Sequence, residues 1–430
     1  MSSPQVTRRG FLLGAAAFGG GAALSGCVGQ GGAPSSGSGG GGSGALVLQN
    51  SIQDAQPKAA LAKLVKQYDG AKVTMNSVAT EQFRAQLSTY LSSSNPPDVL
   101  SWYAGSVANS YAEQGLLLDL SDLWKPGGAC ADYSPALKAL STSSDGKQIF
   151  VPTSYYWWSI FYKKSAFKKW GVEVPTKWDD FLKLCATLKR KGVTPLTNGI
   201  GPTPWMASGW FDYLDLRVNG AQFHRDLLAG KHSFNSPEVK AVMDQYTRLL
   251  PYFAPDQASW DAQQAAQPLV QDKAAMYLVG AFVTSYIPKN QLSDLDFFSV
   301  PTIDPSVPSA EEAPTDGFFA SAGTKDPSGT KKFLSYLAAP KSEQQWISDA
   351  GSSNLPTSPK VDTSHFSPLV KKGIKLLSNT KEITQFFNRD SSDALQTTAD
   401  TALTKFIANP RDVNSILKDW ETAAKGVWSS

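Results

Sequence analysis

Residues 45–77 read "ALVLQNSIQDAQPKAALAKLVKQYDGAKVTMNS" and carry a strand, a helix and a second strand in one pass. "ALVLQN" (45–50) is an apolar run of strand length. Leu61, Leu64, Val65 and Tyr68 then recur at i, i+3, i+4 and i+7, the spacing of one helical face, and Gly70 stops the run. "KVTMNS" reads as the second strand. Further on, "EQFRAQLSTYL" sets Phe83, Leu87, Tyr90 and Leu91 on one face, and "PPDVLSW" gives a third strand. Strands alternating with amphipathic helices build βαβ units around a mostly parallel sheet, which makes the fold class α/β. Ligands of such sheets lie beyond the carboxyl ends of the strands. Those ends are Asn50 and Ser51, with Gln53 just past them, then Ser77 and Trp102. A tryptophan that ends a strand either faces the crevice or packs as a rim residue on the helix starting near Ser106. Placement alone leaves both readings open.

Ahead of this body, "TRRGFLLGAAAFGGGAALSGC" has the layout of an export signal: Arg8 and Arg9, an apolar middle, then small residues up to Cys27. The paired arginines resemble a twin-arginine signal, and "LSGC" resembles a lipobox in which Cys27 is lipidated. A spanning helix is disfavoured, because the apolar run from Phe11 to Leu24 is short of the ~20 residues a bilayer requires. The Gly/Ser stretch 28–44 has nothing to bury and reads as a tether spanning roughly 20–25 Å. The expectation is a chain exported to the outer face of the cell membrane and held there by lipid (periplasmic, where an outer membrane is present).

Net charge is +3, and +1 once Arg8 and Arg9 leave, so no basic face for nucleic acid is implied. The remainder is too long for one core, and two lobes are the default. His224, His232 and His365 share no ligand spacing, so neither a metal nor a cofactor is expected. Cys185 falls on the stripe Phe181–Leu184–Cys185–Leu188, as a buried thiol would; a disulfide to Cys130 is the alternative.

A second α/β region follows the aromatic run "TSYYWWSIFYKK" (153–164). "TKWDDFLKLCATLKRKG" reads as a helix with Thr176 as N-cap, Asp179 and Asp180 in the first turn, and Gly192 just past the end. "PWMASGWFDYLDLRVNG" opens a helix with Trp205, Trp210, Phe211 and Tyr213. "KAAMYLVGAF" is a strand ending at Gly280 with Phe282 beyond it. "FFSVPTID" and "TDGFFASAGTKDP" are extended, and the tail from about Phe333 is mainly helical.

Several patches, in order, resemble the extracellular solute-binding proteins of bacterial ABC importers, in the sugar-binding group that includes maltose-binding protein. They are "PPDVLSWYAGSVANSYAEQGLLLDLSDL", "DGKQIFVPTSYYWWSIFYKKSAFKKWGVEVPTKWDDFLKLC", "DKAAMYLVGAF" and "APTDGFFASAGTKDP", and the likeness spans 45–430. It implies a two-lobed fold with hinge crossovers, 45–153 plus 317–354 forming one lobe and 154–316 plus 355–430 the other. It implies no catalysis, a sugar ligand of two or a few rings, permease subunits as partners, and a monomer. It also implies a site: Trp102 stacking on sugar, Tyr156 reaching the ligand among Tyr155 and Trp157, and Trp205 or Trp210 against a second ring. Gly280 and Phe282 would stand at the strand end, with Asn50, Gln53, Asp316 and Asn354 around the hinge. One departure is visible, since the acid expected three residues after Trp102 is Gly105.

The four adjacent aromatics, Tyr155, Tyr156, Trp157 and Trp158, would as a strand send alternate rings to opposite faces, one pair into a core and one to a cleft. A pyranose has a C–H face that lies on a ring and a rim of hydroxyls, and Tyr and Trp offer partners to both. The rival readings are a secreted glycoside hydrolase and an adhesive, carbohydrate-active surface lipoprotein. A hydrolase needs two carboxylates across a cleft. Its candidates are weak: Asp179 and Asp180 belong to a helix start, Asp212 and Asp215 to a helix, and Glu311 and Glu312 to a Pro-rich loop.

Overall fold

The computed structural model describes residues 45–52, 55–350 and 354–429. Cys27, the tether and Gln53 lie outside the described residues. The strands are β1 (Leu46–Asn50), β2 (Val73–Ser77), β3 (Val99–Tyr103), β4 (Val151–Tyr155), β5 (Trp158–Lys163), β6 (Thr194–Thr197), β7 (Ala274–Gly280), β8 (Leu295–Phe298), β9 (Ala310–Glu312), β10 (Thr315–Ala320) and β11 (Glu382–Thr384). They form one sheet in the order β2-β1-β3-β10-β4, a second in the order β6-β7-β5-β8, and a parallel β9–β11 pair.

Each large sheet holds one reversed strand. β10 is antiparallel to β3 and β4, and β5 is antiparallel to β7 and β8, while β1–β2, β1–β3 and β6–β7 are parallel. Connectivity explains the reversal. β5 follows the crossing at 156–157 and β10 follows the crossing at 313–314. A chain arriving from the neighbouring sheet enters at the end where the other strands finish, so it must run against them. The expectation of mostly parallel sheets therefore holds for strand direction, with the exception at each crossing.

The helices lie where the apolar periodicity put them, including Ala55–Gln67, Thr80–Ser92, Ser106–Glu113 and Trp178–Arg190. One cap differs from expectation. The residue before Trp178–Arg190 is Lys177, with no side-chain cap, so Thr176 lies one residue too early. Asp179 and Asp180 do occupy the first turn, and Gly192 has the left-handed φ of +75° that ends the helix. Ser236 and Ser367 cap their helices with Pro at the first helical position. Helix Pro340–Ala350 packs on Ala55–Gln67, beside the first sheet, and Asp393–Ala408 packs on Met206–Val218, beside the second. Cys130 and Cys185 are both free and buried, which removes the disulfide alternative. Burial pushes the Cys130 thiol up to about 12, leaving it unreactive as a thiolate source.

Candidate functional site

A cavity of about 290 Å³ opens beyond the carboxyl ends of β1 and β3, lined among others by Ser51, Tyr103, Ser154, Asp316, Asn354 and Arg389. The crossings converge here. Asn354 Nδ2 donates to Ser154 Oγ at 3.3 Å, and Tyr155 pairs through its backbone with Leu355. Asp316, at the start of β10, accepts from Arg389 Nη1 at 2.6 Å. The Arg389 guanidinium lies 4.0 Å from the Tyr103 ring centroid and 5.6 Å from that of Tyr156. Both charged side chains stay partly open, Arg389 at 16% and Asp316 at 34% exposure. Burial works against the Arg389 charge, but Asp316 and the two tyrosines outweigh it and hold the group firmly ionised.

Arg389 arrives by a route that mirrors the second crossing. β9 and β11 run in parallel toward the cavity. β9 continues across into β10, whereas β11 gives way to the segment 385–392. That segment touches the first sheet and its helices repeatedly. Gln385 Nε2 donates to Ala104 O and Gln385 Oε1 accepts from Thr315 N, and just past the segment Arg84 pairs with Asp393 at 3.1 Å. Asp390 Oδ1 accepts from Ser106 N at 3.0 Å and from the Ser106 hydroxyl, capping helix Ser106–Glu113. Gly105 precedes that helix with φ +87°, and a Cβ there would come within 2.9 Å of Asp390 Oδ1. The missing acid at 105 thus coincides with a carboxylate delivered from residue 390.

The aromatic expectations divide. Trp102 stacks on Phe83 with ring centroids 5.0 Å apart and against Tyr103 at 4.3 Å, which leaves it only 4% exposed. It borders the cavity but is mostly a wall. Tyr156 is half-buried, edge-on to Phe282 at 5.9 Å, with Trp158 edge-on to the same ring. Gly280 makes this fit, because a Cβ there would meet Phe282 Cε1 at 2.4 Å and Tyr156 Cε2 at 2.9 Å. Trp205 packs on Trp158 and Phe386. Four further expected site residues lie off the cavity. Trp157 is fully buried on Phe297 and Phe161, and Trp210 is buried on Phe181 and Phe253. Asn50 is buried and spends its side chain on Asn76 O, Ile52 N and Ser77 Oγ. Tyr155 packs beside the main core, paired through its backbone to Thr315.

Tyr103 and Arg389 were missed. Tyr103 had a signal, since it follows Trp102 at a strand end. Arg389 had none at short range, being 73 positions from its partner Asp316.

Of the acids considered for hydrolysis, Asp179 and Asp180 stand exposed at their helix start, and the other four are buried together. Glu311 and Glu312 belong to β9 rather than to a loop, and with Asp212 and Asp215 they are fully buried. Glu311 pairs with Arg217 at 2.7 Å and accepts from Tyr213 OH at 3.0 Å. His224 Nδ1 lies 2.9 Å from Asp215 Oδ2. Burial, with Asp212 beside it, pushes Glu312 well above the carboxylate range, and burial pushes Asp212 up against the opposing pull of His224. Burial opposes the charge of His224 too, but Asp215 and Asp212 raise it overall. Side chains this buried lack the exposure to a substrate that a carboxylate pair working across a cleft requires. Asp212 Oδ2 does accept from Phe387 N at 2.9 Å, anchoring the segment that presents Arg389. Among the described residues no group of His, Cys, Asp and Glu could hold a metal ion, and no helix is long and apolar enough to cross a membrane.

Residues 50–344 match the sequence model of a family described as bacterial extracellular solute-binding protein. The alpha-glucosides-binding periplasmic protein AglE of Rhizobium meliloti is 23% identical over 357 residues, 78% of this chain and 77% of that protein. An uncharacterized ABC transporter extracellular-binding protein of Pyrococcus horikoshii is 24% identical over 331 residues, 75% of this chain and 73% of the relative. Among solved structures, the bacterial solute receptor AcbH, described with an exclusive preference for β-D-galactopyranose, superposes with TM-score 0.84 at 29% identity. The likeness covers 90% of this chain and 100% of AcbH. A chitin oligosaccharide binding protein follows the same fold at 19% identity and TM-score 0.73, over 89% and 99% of the two chains.

Proposed function

The chain belongs to the bacterial extracellular solute-binding protein family, in its sugar-binding ABC-transporter group, and from that premise we propose that its cleft captures one pyranose ring for delivery to the permease. Members of this family bind and hand over a solute; they are not enzymes. The observation that carries the single-ring reading is the cavity bounded by Tyr103, Asp316 and Arg389 at the strand ends. The residues expected to seat a second ring support it as well. Trp210 is in the core, and Trp205 is engaged with Trp158 and Phe386. The galactopyranose preference stated for AcbH makes a hexose the first ligand to try.

Capture works by closure. Two lobes, divided at the crossings 156–157, 313–314 and the one near Asn354, rotate about those crossings, and the closed form traps the ring and excludes water, which strengthens each polar contact. The closed form is then selected by the membrane subunits. Lipidation at Cys27 holds the chain, as a monomer, by the 28–44 tether near its permease. A thermal-shift screen of D-galactose, D-glucose, D-mannose, maltose and raffinose tests the reading. A rise in Tm with a monosaccharide and a smaller one with both larger sugars is expected. Stabilisation by raffinose or maltose alone would replace one ring with several.

A further inference from the structure

We propose that Arg389 is the specificity-determining residue of this cleft, acting with Asp316 to hold two neighbouring hydroxyls of an uncharged sugar ring. The inference rests on the sugar reading above and assigns the contact that reads the ligand. Among the described residues lining the cavity, Arg389 alone comes from the chain beyond Asn354. It is therefore the group that reaches the ligand from across the crossings.

Its hydrogen-bonding inventory points the same way. A guanidinium has five N–H donors in one plane and no acceptor, and a carboxylate has acceptors only. Tyr103, 4.0 Å away, lies against the guanidinium face, while Nη1 meets Asp316 Oδ1 at 2.6 Å along its edge. Both residues line the cavity, and their one mutual hydrogen bond uses only Nη1 and Oδ1. Neighbouring ring hydroxyls match this pair, one oxygen accepting from Arg389 while the next hydroxyl donates to Asp316. Because the pair is neutral as a unit, it gives no advantage to a ligand carrying its own negative charge. A sugar lacking either hydroxyl leaves a charged group short of a partner, which a binding site rejects more strongly than a missing apolar contact.

Titration calorimetry on the full chain tests this with D-galactose, D-glucose and D-mannose, then with the monodeoxy forms and the uronate of the tightest binder. The variants are Arg389→Met, which keeps length without charge, and Arg389→Lys, which keeps charge without the fork. Loss of a charge-assisted contact predicts affinity about 100-fold weaker for the first and about 10-fold weaker for the second. Two adjacent deoxygenations should cost the wild type about 10-fold or more each, yet less than about threefold in Arg389→Met. The uronate should bind more weakly than its neutral parent. Binding by Arg389→Met within about threefold of wild type, or equal deoxy penalties in both proteins, overturns the assignment while the sugar reading stands. If Arg389→Met fails to fold, the deoxy penalties are compared in Arg389→Lys instead. Absence of heat from wild type with all three hexoses, maltose and raffinose overturns the sugar reading itself.

Discussion

Two arginine–carboxylate pairs sit on the same stretch of chain and have opposite surroundings. Glu311 ends in Arg217 and, five residues on, Asp316 ends in Arg389, at 2.7 and 2.6 Å. The first pair is closed, with exposures of 5% and 3%. Arg217 donates from Nε to Val300 O, from Nη1 to Ala310 O and from Nη2 to Glu311, so the protein itself engages all three nitrogens. Arg389 donates to Asp316 and otherwise rests on rings. An ion pair saturated by its own fold holds architecture; one with donors left over at a cavity wall is equipped for a guest. Exposure and donor count separate the two where distance does not.

The largest effect should come from exchanging the arginines. Arg217→Met strands Glu311 without its cation in the interior, a loss of about 3–5 kcal/mol, or roughly 5 °C in Tm for a chain of this size. Arg389→Met should leave Tm near its wild-type value and weaken sugar binding instead. Differential scanning calorimetry with matched binding titrations measures both. Equal losses of Tm in the two variants would erase the contrast.

The pairs should also differ in their response to pH. Near Arg217 lie carboxyls whose folded state favours the proton, Glu312 and Asp212; away from it, beside Thr357 and Ser358, burial pushes Glu343 from 4.5 up to about 7. Such groups bind a proton more tightly folded than unfolded. Their stabilisation is complete below the unfolded pKa and is lost as pH rises through the folded value. The raised His224 acts in the same direction. Tm should therefore fall by a few degrees between about pH 5 and about pH 8, and Glu312→Gln should flatten that slope. Sugar affinity rests on a guanidinium charged throughout that range and should stay level. A Tm that rises with pH would show the buried acids to be ionised and satisfied.

What the sequence revealed follows the reach of local physics. Periodicity exposed β1, β2, β3 and the helices between them, because a helical or strand face is written within a dozen residues. The crevice at the strand ends follows from the same pattern; Asp316 and Asn354 line the cavity, and Tyr156 lies at a crossing with Phe282 against it. Trp157 and Trp210 were misassigned for a physical reason: an indole is as suited to a core as to a sugar, and burial depends on what folds over it. Arg389 was invisible because its meaning lies in Asp316 and Tyr103, brought to it only by the parallel run of β9 and β11. Net charge near zero says nothing about a pair that cancels within itself.

A smaller effect isolates the aromatic half of the cleft. Gly280→Ala introduces a methyl that must displace Phe282 and Tyr156, its nearest neighbours at 2.4 and 2.9 Å. Both rings are only partly buried, so they should yield with little loss of Tm. Affinity should drop about 10-fold as the wall shifts by part of an ångström. Unchanged affinity would place those rings outside the ligand's reach and leave Arg389 and Asp316 as the whole site.

The smallest effect concerns the contact that lets the two sides of the crevice sense each other. Helix Ser106–Glu113 has no side-chain cap of its own, and Asp390 provides one from beside Arg389. Because Asp390 and Ser106 belong to opposite lobes of the proposed partition, opening the cleft removes the cap. Asp390→Ala should then cost about 1 kcal/mol of closure, read as roughly fivefold weaker binding with faster release and a nearly unchanged Tm. The double variant with Arg389→Met should lose little beyond the single Arg389→Met, since a cleft that no longer holds its ligand has nothing to close upon. Additive losses would mean that the cap serves static packing, and that reading the sugar and closing the lobes are separate events in this protein.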